Sequence, residues 1–171
     1  MLAAGASARF GSPKQQLLLE PVLDRVRRSF VDEVVVVLGA HELDTTARAV
    51  RCTDWERGPG ASLRCGLNAL PSEAEAAVVV LADGPDLAPE AIDRVIGTWR
   101  AGGGPIVAAT YGGIRLHPVL VDRDAWSLVP DAGAKGLDAV LVPCDDLGPP
   151  GDVDFTDEVP ERLKPWSSPD P

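Results

Sequence analysis

The chain has 171 residues, 45% of them hydrophobic, with 26 acidic against 16 basic side chains and a formal net charge of −10. That length suits one α/β domain with a core of its own, and no stretch approaches the ~20 apolar residues of a membrane span. The acidic balance, with a pI near 4.6, disfavours nucleic acid, while three scattered cysteines, Cys52, Cys65 and Cys144, suggest neither a disulfide framework nor zinc and fit a reducing cytoplasm.

The apolar start Met1-Leu2-Ala3 is followed by a loop of small residues, Gly5-Ala6-Ser7-Ala8, and then by Arg9 and Lys14. Small side chains let backbone N–H groups close on an anion, and a helix that begins after a strand aims its positive end at the same place. No acidic residue occurs before Glu20, so this stretch suits a polyphosphate. Gly11 is followed by Ser12-Pro13-Lys14, which departs from the P-loop, and no G-x-G-x-x-G run fits Gly5 to Gly11. The opening residues do not read as a signal peptide.

Farther along, residues 20–30 read as an amphipathic helix with Val22, Leu23, Val26 and Phe30 on one side. Val34 to Leu38 is a β-branched run ended by Gly39, the pattern of a parallel strand buried on both faces. Residues 76–82 and 105–110 repeat that pattern, and helices are expected over 42–50, 61–70 and 89–99. The β-α alternation predicts a three-layer α/β/α fold on a mostly parallel, Rossmann-like sheet, with ligands beyond the carboxyl ends of the strands. One domain is expected over 1–160, with a proline-rich, disordered tail over 161–171. Only Met1 and Leu2 stand for a first strand that needs about five residues to cross a sheet, a shortening that admits lost activity or residues missing from the chain.

Asp83 stands at the carboxyl end of the most apolar strand, before Gly84-Pro85, with Asp86 close by. A carboxylate there can hold Mg²⁺, which takes few protein ligands and relies on phosphate and water for the rest. The alternative is a turn aspartate bonded to backbone. Asp152 and Asp154 share one face if they lie on a strand, and either complete a cation site or belong to a solvated acidic loop. Gly58 and Gly60 before a helix suit close backbone approach. Ser62 either caps that helix or bonds a base or ribose, and Trp55 stacks on a ligand or is buried. With His41 the only other histidine, His117 contacts substrate or packs, rather than joining a metal cluster.

From Leu2 to Gln15 the chain resembles, residue for residue, the LAAGxSxRxGxPKQ signature of the MobA-like NTP transferases, which include the molybdenum cofactor cytidylyltransferases and guanylyltransferases. Leu81-Ala82-Asp83-Gly84-Pro85 is similar to that family's L-x-D-x-P, and residues 152–158 to its D-x-D-T-P-E-D, with Phe155 and Thr156 in place of Thr-Pro. Residues 54–67 resemble W-x-x-G-x-x-x-S-L-x-x-G-L, and His117-Pro118-Val119-Leu120 the H-P-V-L near the acceptor pocket. Asp131 to Lys135 resembles G-D-x-G-A-R, with Lys135 for Arg, which keeps the charge but loses the bidentate fork.

The resemblance implies a nucleotide-diphospho-sugar transferase fold. It implies nucleotide contacts from Leu2, Ala3, Ala4, Gly5, Ser7, Arg9, Lys14, Ser62 and Asp83, with catalytic roles for Arg9, Lys14 and Asp83. Metal ligation falls to Asp83 and Asp154, with Asp152 in reserve, and acceptor binding to His117 and Lys135. The implied activity is Mg²⁺-dependent transfer of CMP from CTP to a phosphorylated acceptor, molybdopterin first, with release of pyrophosphate. Ala4, where guanylyl-transferring relatives tend to have Gly, favours the smaller base and leaves GTP second. A molybdoenzyme or its chaperone would be the protein partner. Catalysis would rest on positioning and charge stabilisation. The shortened first strand keeps a different class open, an accessory protein that binds a nucleotide or handles a cofactor without turnover.

Overall fold

Val35, Val36 and Val37 are almost fully buried, because a strand with neighbours on both sides and helices on both faces leaves no edge to water. A computed structural model describes residues 1–7 and 14–164. In it β1 (Leu2–Ala3), β2 (Val35–Leu38) and β3 (Arg48–Arg51) form a parallel ladder. A second ladder, in the order β4-β6-β5-β7, is built from β4 (Ala76–Val79), β5 (Ile106–Tyr111), β6 (Ile114–Asp122) and β7 (Val140–Pro143). The two meet at a parallel bridge between Leu2 and Leu81. There Leu2 N donates to Val80 O at 2.9 Å and Ala82 N to Leu2 O at 3.0 Å. The sheet is thus mixed, and β6 alone runs against the rest.

Alternation along the strands builds two cores. Val107, Ala109 and Tyr111 of β5 face α1 (Gln15–Val26) and α3 (Pro89–Arg100), where Leu19, Val22, Leu23, Ile92 and Val95 meet them. Ile106 and Ala108 face the other way, toward Leu63 and Leu67 of α2 (Pro59–Ala69) and toward Ala125 and Val129. The three layers are those expected. Among the described residues no helix is long and apolar enough to cross a membrane.

Several expected elements differ. The first helix begins at Gln15 and ends at Val26. Ser29 Oγ donates to Val26 O and Phe30 N–H to Asp93, so the chain turns away and leaves Phe30 73% exposed instead of on the apolar face. No helix forms over 42–50. Glu20 takes the backbone N–H and the hydroxyl of Thr46, and residues 48–51 pair with the free edge of β2, their arginines bonded to Glu33 and Glu42. Edge hydrogen bonds outweigh the helical preference of Ala and Arg, which is weak over so few residues.

Neither β6 nor β7 is evident in the sequence. Pro118 interrupts β6, and the β5–β6 register shifts between Ala108 and Thr110, which places the residue lacking an N–H at an irregularity in the ladder. Residues 152–154 form no strand. They still alternate, because Val153 is buried against Leu18 and Val159 and its N–H donates to Asp83 O at 3.1 Å. At the far end, Glu161–Leu163 makes a 3₁₀ turn whose Leu163 packs on that cluster, and Arg162 pairs with Asp86 at 2.5 Å. The rest of the expected tail, residues 165–171, lies outside the described residues.

Among the described glycines, Gly60 admits the closest approach. A Cβ there would stand 1.8 Å from Pro130 O, at the point where Gly60 N–H donates to Asp131 O at 2.9 Å. Gly60→Ala is expected to destabilise the protein by about 3 kcal/mol, the upper end for overpacking, and to lower the midpoint of a thermal melt by roughly 6–12 °C. Gly97, on the exposed side of α3 with nothing within 4 Å of an added Cβ, gives the opposite sign. Gly97→Ala is expected to stabilise by about 0.5–1 kcal/mol in the same melt.

Candidate active site

The small-residue loop leaves the end of β1 and turns over the start of α1. Ala4 O accepts from Ala40 N at 3.1 Å. A Cβ on Gly39 would stand 2.5 Å from Ala4 O and 2.8 Å from the Trp55 ring, so only glycine lets loop and indole come together there. Gln15, buried at the opening of α1, ties the loop at two points. Its Nε2 donates to Gly5 O at 3.1 Å, and its Oε1 accepts from Ser7 Oγ at 2.7 Å. Ser7 has φ 51°, a left-handed conformation that a serine adopts at some cost. Across from the loop, α2 starts at Pro59 behind Gly58, whose φ is 121°. No side chain caps α2, which removes the capping alternative for Ser62.

Loop, α2 and the end of the central strand enclose a cavity of about 450 Å³. Leu2, Ala3, Ala4, Gly5, Ser7, Lys14, Ser62 and Asp83, all expected at the nucleotide, line it together with Trp55 and Asp154. Arg9 lies outside the described residues. Peptide groups at the α2 start and a wall of small side chains suit an anion on one side, and Trp55 offers a flat apolar face on another.

Lys14 does not point into open space. Its ammonium donates to Val153 O at 2.7 Å and stands 2.9 Å from Asp83 Oδ2, 3.3 Å from Asp154 Oδ1 and 3.8 Å from Asp152 Oδ1. Burial works against its charge, but the hydrogen bond and charge of Asp83, followed by Asp154 and Asp152, outweigh burial and hold its pKa above the ordinary lysine value. Asp152 moves the other way for a carboxylate, pushed up by burial first and then by repulsion from Asp83 and Asp154. Asp86, expected near this group, faces Arg162 instead.

The donor set suits a hard divalent cation, since carboxylate and carbonyl oxygens already surround one positive charge. Among the described residues no three of His, Cys, Asp or Glu are placed to hold a metal ion, so such an ion would take its remaining oxygens from substrate and water.

A second cavity, of about 390 Å³, adjoins the first and shares Leu2, Pro59 and Leu81 with it. His117, Lys135 and Asp152 line it. His117 Nδ1 lies 3.1 Å from Val79 O. A carbonyl only accepts, so the neutral ring carries its proton on Nδ1 and leaves Nε2 as an acceptor. Burial, above all, keeps the His117 pKa below the usual 6.5, against the opposing effects of Val79 and Asp83.

Two residues of the site escaped the sequence reading. Gln15 was only a match within the motif. Arg115 also lines the second cavity. Its guanidinium donates to Leu137 O at 2.6 Å and Ala134 O at 2.9 Å, which fastens the turn that carries Lys135, while its Nε is buried without a partner among the described residues. Its position two residues before His117 is the signal that would have found it, because period two sets both on one face of a strand.

A model of the MobA-like NTP transferase domain matches residues 1–146. No curated protein matches the chain in sequence. Among solved structures, Rv0371c from Mycobacterium tuberculosis H37Rv is 29% identical, with a TM-score of 0.71 over 91% of this chain and 92% of that one. The manganese complex of Rv0371c aligns over 83% and 84% at 24% identity, with a TM-score of 0.63. Molybdopterin-guanine dinucleotide biosynthesis protein A from Archaeoglobus fulgidus shares the fold at 17% identity, with a TM-score of 0.62 over 85% and 83%. The fold is that of the nucleotide-diphospho-sugar transferases. With 146 of 171 residues matched, the chain belongs to the MobA-like NTP transferase domain family and so to the nucleotidyltransferases.

Proposed function

We propose that this protein transfers CMP from CTP to a phosphorylated small-molecule acceptor of the molybdopterin type and releases pyrophosphate. The observation that carries the reading is the seam between the two cavities. The anion-suited cavity and the one lined by His117 and Lys135 share a wall, and Asp83, Asp152 and Asp154 gather there around the Lys14 ammonium. A donor triphosphate in the first cavity and an acceptor phosphate entering from the second would meet at that seam.

In the proposed reaction an acceptor phosphate oxygen attacks the α-phosphorus. A new P–O bond forms as the bond from the α-phosphorus to its bridging oxygen breaks, and the electron pair leaves with pyrophosphate. The backbone of Gly5 to Ser7, fixed by Gln15, positions the triphosphate, and Arg9 and Lys14 offset its charge. Mg²⁺, held by Asp83 and Asp154 with Asp152 beside them, would supply Lewis-acid neutralisation of the phosphate oxygens. The manganese complex of Rv0371c supports a divalent ion in this kind of protein. His117 Nε2 would accept a hydrogen bond from the acceptor, and Lys135 would attract its anionic group.

Ala4 lines the first cavity with its carbonyl and methyl group close to Gly39, and a methyl group where guanylyl-transferring relatives tend to have none favours cytosine over guanine. The name of the Archaeoglobus fulgidus protein keeps GTP as the second donor.

Pure protein given Mg²⁺, molybdopterin and CTP is expected to release pyrophosphate faster than with GTP. Asp83→Asn should lower that rate about a hundredfold with an unchanged far-UV CD spectrum. Undiminished turnover in this variant would remove Asp83 from the mechanism, and nucleotide binding without pyrophosphate release would make the protein an accessory binder.

The half-buried imidazole generates a second expectation. With a folded pKa below 6.5, the unfolded chain takes up the His117 proton first. The stability held above pH 6.5 is therefore lost as pH falls through the folded value. His117→Asn should flatten the fall in thermal midpoint between about pH 7.5 and 5.5; a slope equal to that of the parent protein would exclude this role.

A further inference from the structure

The coordination of Lys14 is that of a bound ion rather than of a side chain reaching into a cavity. Four oxygens surround its ammonium: Val153 O at 2.7 Å, Asp83 Oδ2 at 2.9 Å, Asp154 Oδ1 at 3.3 Å and Asp152 Oδ1 at 3.8 Å. The residue is only 8% exposed. Asp83 and Asp154 among them are the carboxylates proposed above for a divalent cation, and two cations do not share one nest at contact distance without strong repulsion. We infer that Lys14 is the exchangeable internal cation of this site, which fills the carboxylate nest when no metal is bound and gives it up when a metal enters. The inference rests on the proposal that Asp83 and Asp154 are metal ligands, and it adds that metal and lysine compete for them.

The exchange has a direction. Removed from the carboxylates, the ammonium still belongs to a residue that lines the first cavity beside Gly5 and Ser7, where a triphosphate would give it a new anionic partner. Metal binding therefore weakens one contact of Lys14 and frees it for another. By thermodynamic linkage a polyphosphate that takes up Lys14 also strengthens metal binding. The lysine thus couples the two halves of the substrate complex without touching both at once. Held among carboxylates, it also keeps three negative side chains together before either half arrives, which an empty nest would oppose through their mutual repulsion.

Mn²⁺ alone is the probe, with free ion followed by electron paramagnetic resonance. Lys14→Gln is expected to bind Mn²⁺ at least tenfold tighter than the parent protein in the absence of nucleotide, and equal or weaker binding would overturn the exchange. Asp83→Asn separates the two layers of the argument, because Mn²⁺ affinity unchanged in that variant would dispose of the metal site itself. A second measurement needs no variant. The chain has three lysines, Lys14, Lys135 and Lys164, and reductive methylation mapped by mass spectrometry reads each. Saturating Mn²⁺ should raise labelling of Lys14 severalfold and leave Lys135 and Lys164 unchanged, whereas a Lys14 rate that is unaffected or slowed by Mn²⁺ contradicts the exchange.

Discussion

Two hydrogen bonds at Leu2 hold the sheet together. Leu2 N–H reaches Val80 O and Leu2 O accepts from Ala82 N, and this one parallel bridge joins the ladder of β1, β2 and β3 to the ladder that carries β4, β5, β6 and β7. The small-residue loop follows β1 immediately, and Asp83 follows the bridge immediately on the other side. A one-residue slip here would reverse every side chain of β1 and draw the loop away from the carboxylate. The site therefore inherits its alignment from backbone pairing two residues away.

Charge is arranged around that alignment with unusual economy. The chain carries a net charge of −10, yet the carboxylates at the seam are not left to repel one another, since an ammonium from the head of α1 lies among them. Asp131, at the mouth of the other wall, is held below the usual carboxylate range by Arg64 and then Arg57, and Asp86 is turned outward to Arg162. Acidic side chains near the site are thus each given a partner, and Asp152, the most exposed of the seam carboxylates and the farthest of them from the Lys14 ammonium, has a raised pKa. Burial raises it first, and the negative charges of Asp83 and Asp154 beside it raise it further.

The sequence made the centre of this molecule legible and its periphery much less so. Continuous valine runs announce strands: Val35 to Val37 became part of a buried parallel strand, whereas Ala76 to Val79 became β4, half-buried over most of its length and paired antiparallel with β6. The small-residue loop with its trailing lysine identified one lining of the first cavity, and the fragments around Asp83 and Asp154 identified another. What failed has a common physical cause. β3 and β7 are set by edges that the chain meets elsewhere in the sheet, as where the open edge of β2 captured Arg48 to Arg51; β6 follows β5 across Gly112-Gly113, and it accommodates Pro118 where the ladder skips. Phe30 joined an apolar face on paper, but a carboxylate on α3 draws its backbone off the helix. The position of Lys14 was equally hidden. Its charge was plain, while the choice between phosphate and carboxylate depended on Val153, 139 residues away.

Gln15 gives the loop a property that geometry alone does not express. One buried amide fastens Gly5 and Ser7 to the head of α1, so two parts of the chain that meet there are held together before any ligand arrives. Bringing two such parts together lowers chain entropy by an amount that changes slowly with loop length. Here that loss accompanies folding and is absent from binding. An anion settling on the loop consequently orders less chain than it would on a free segment, and a correspondingly larger share of its electrostatic attraction appears as affinity.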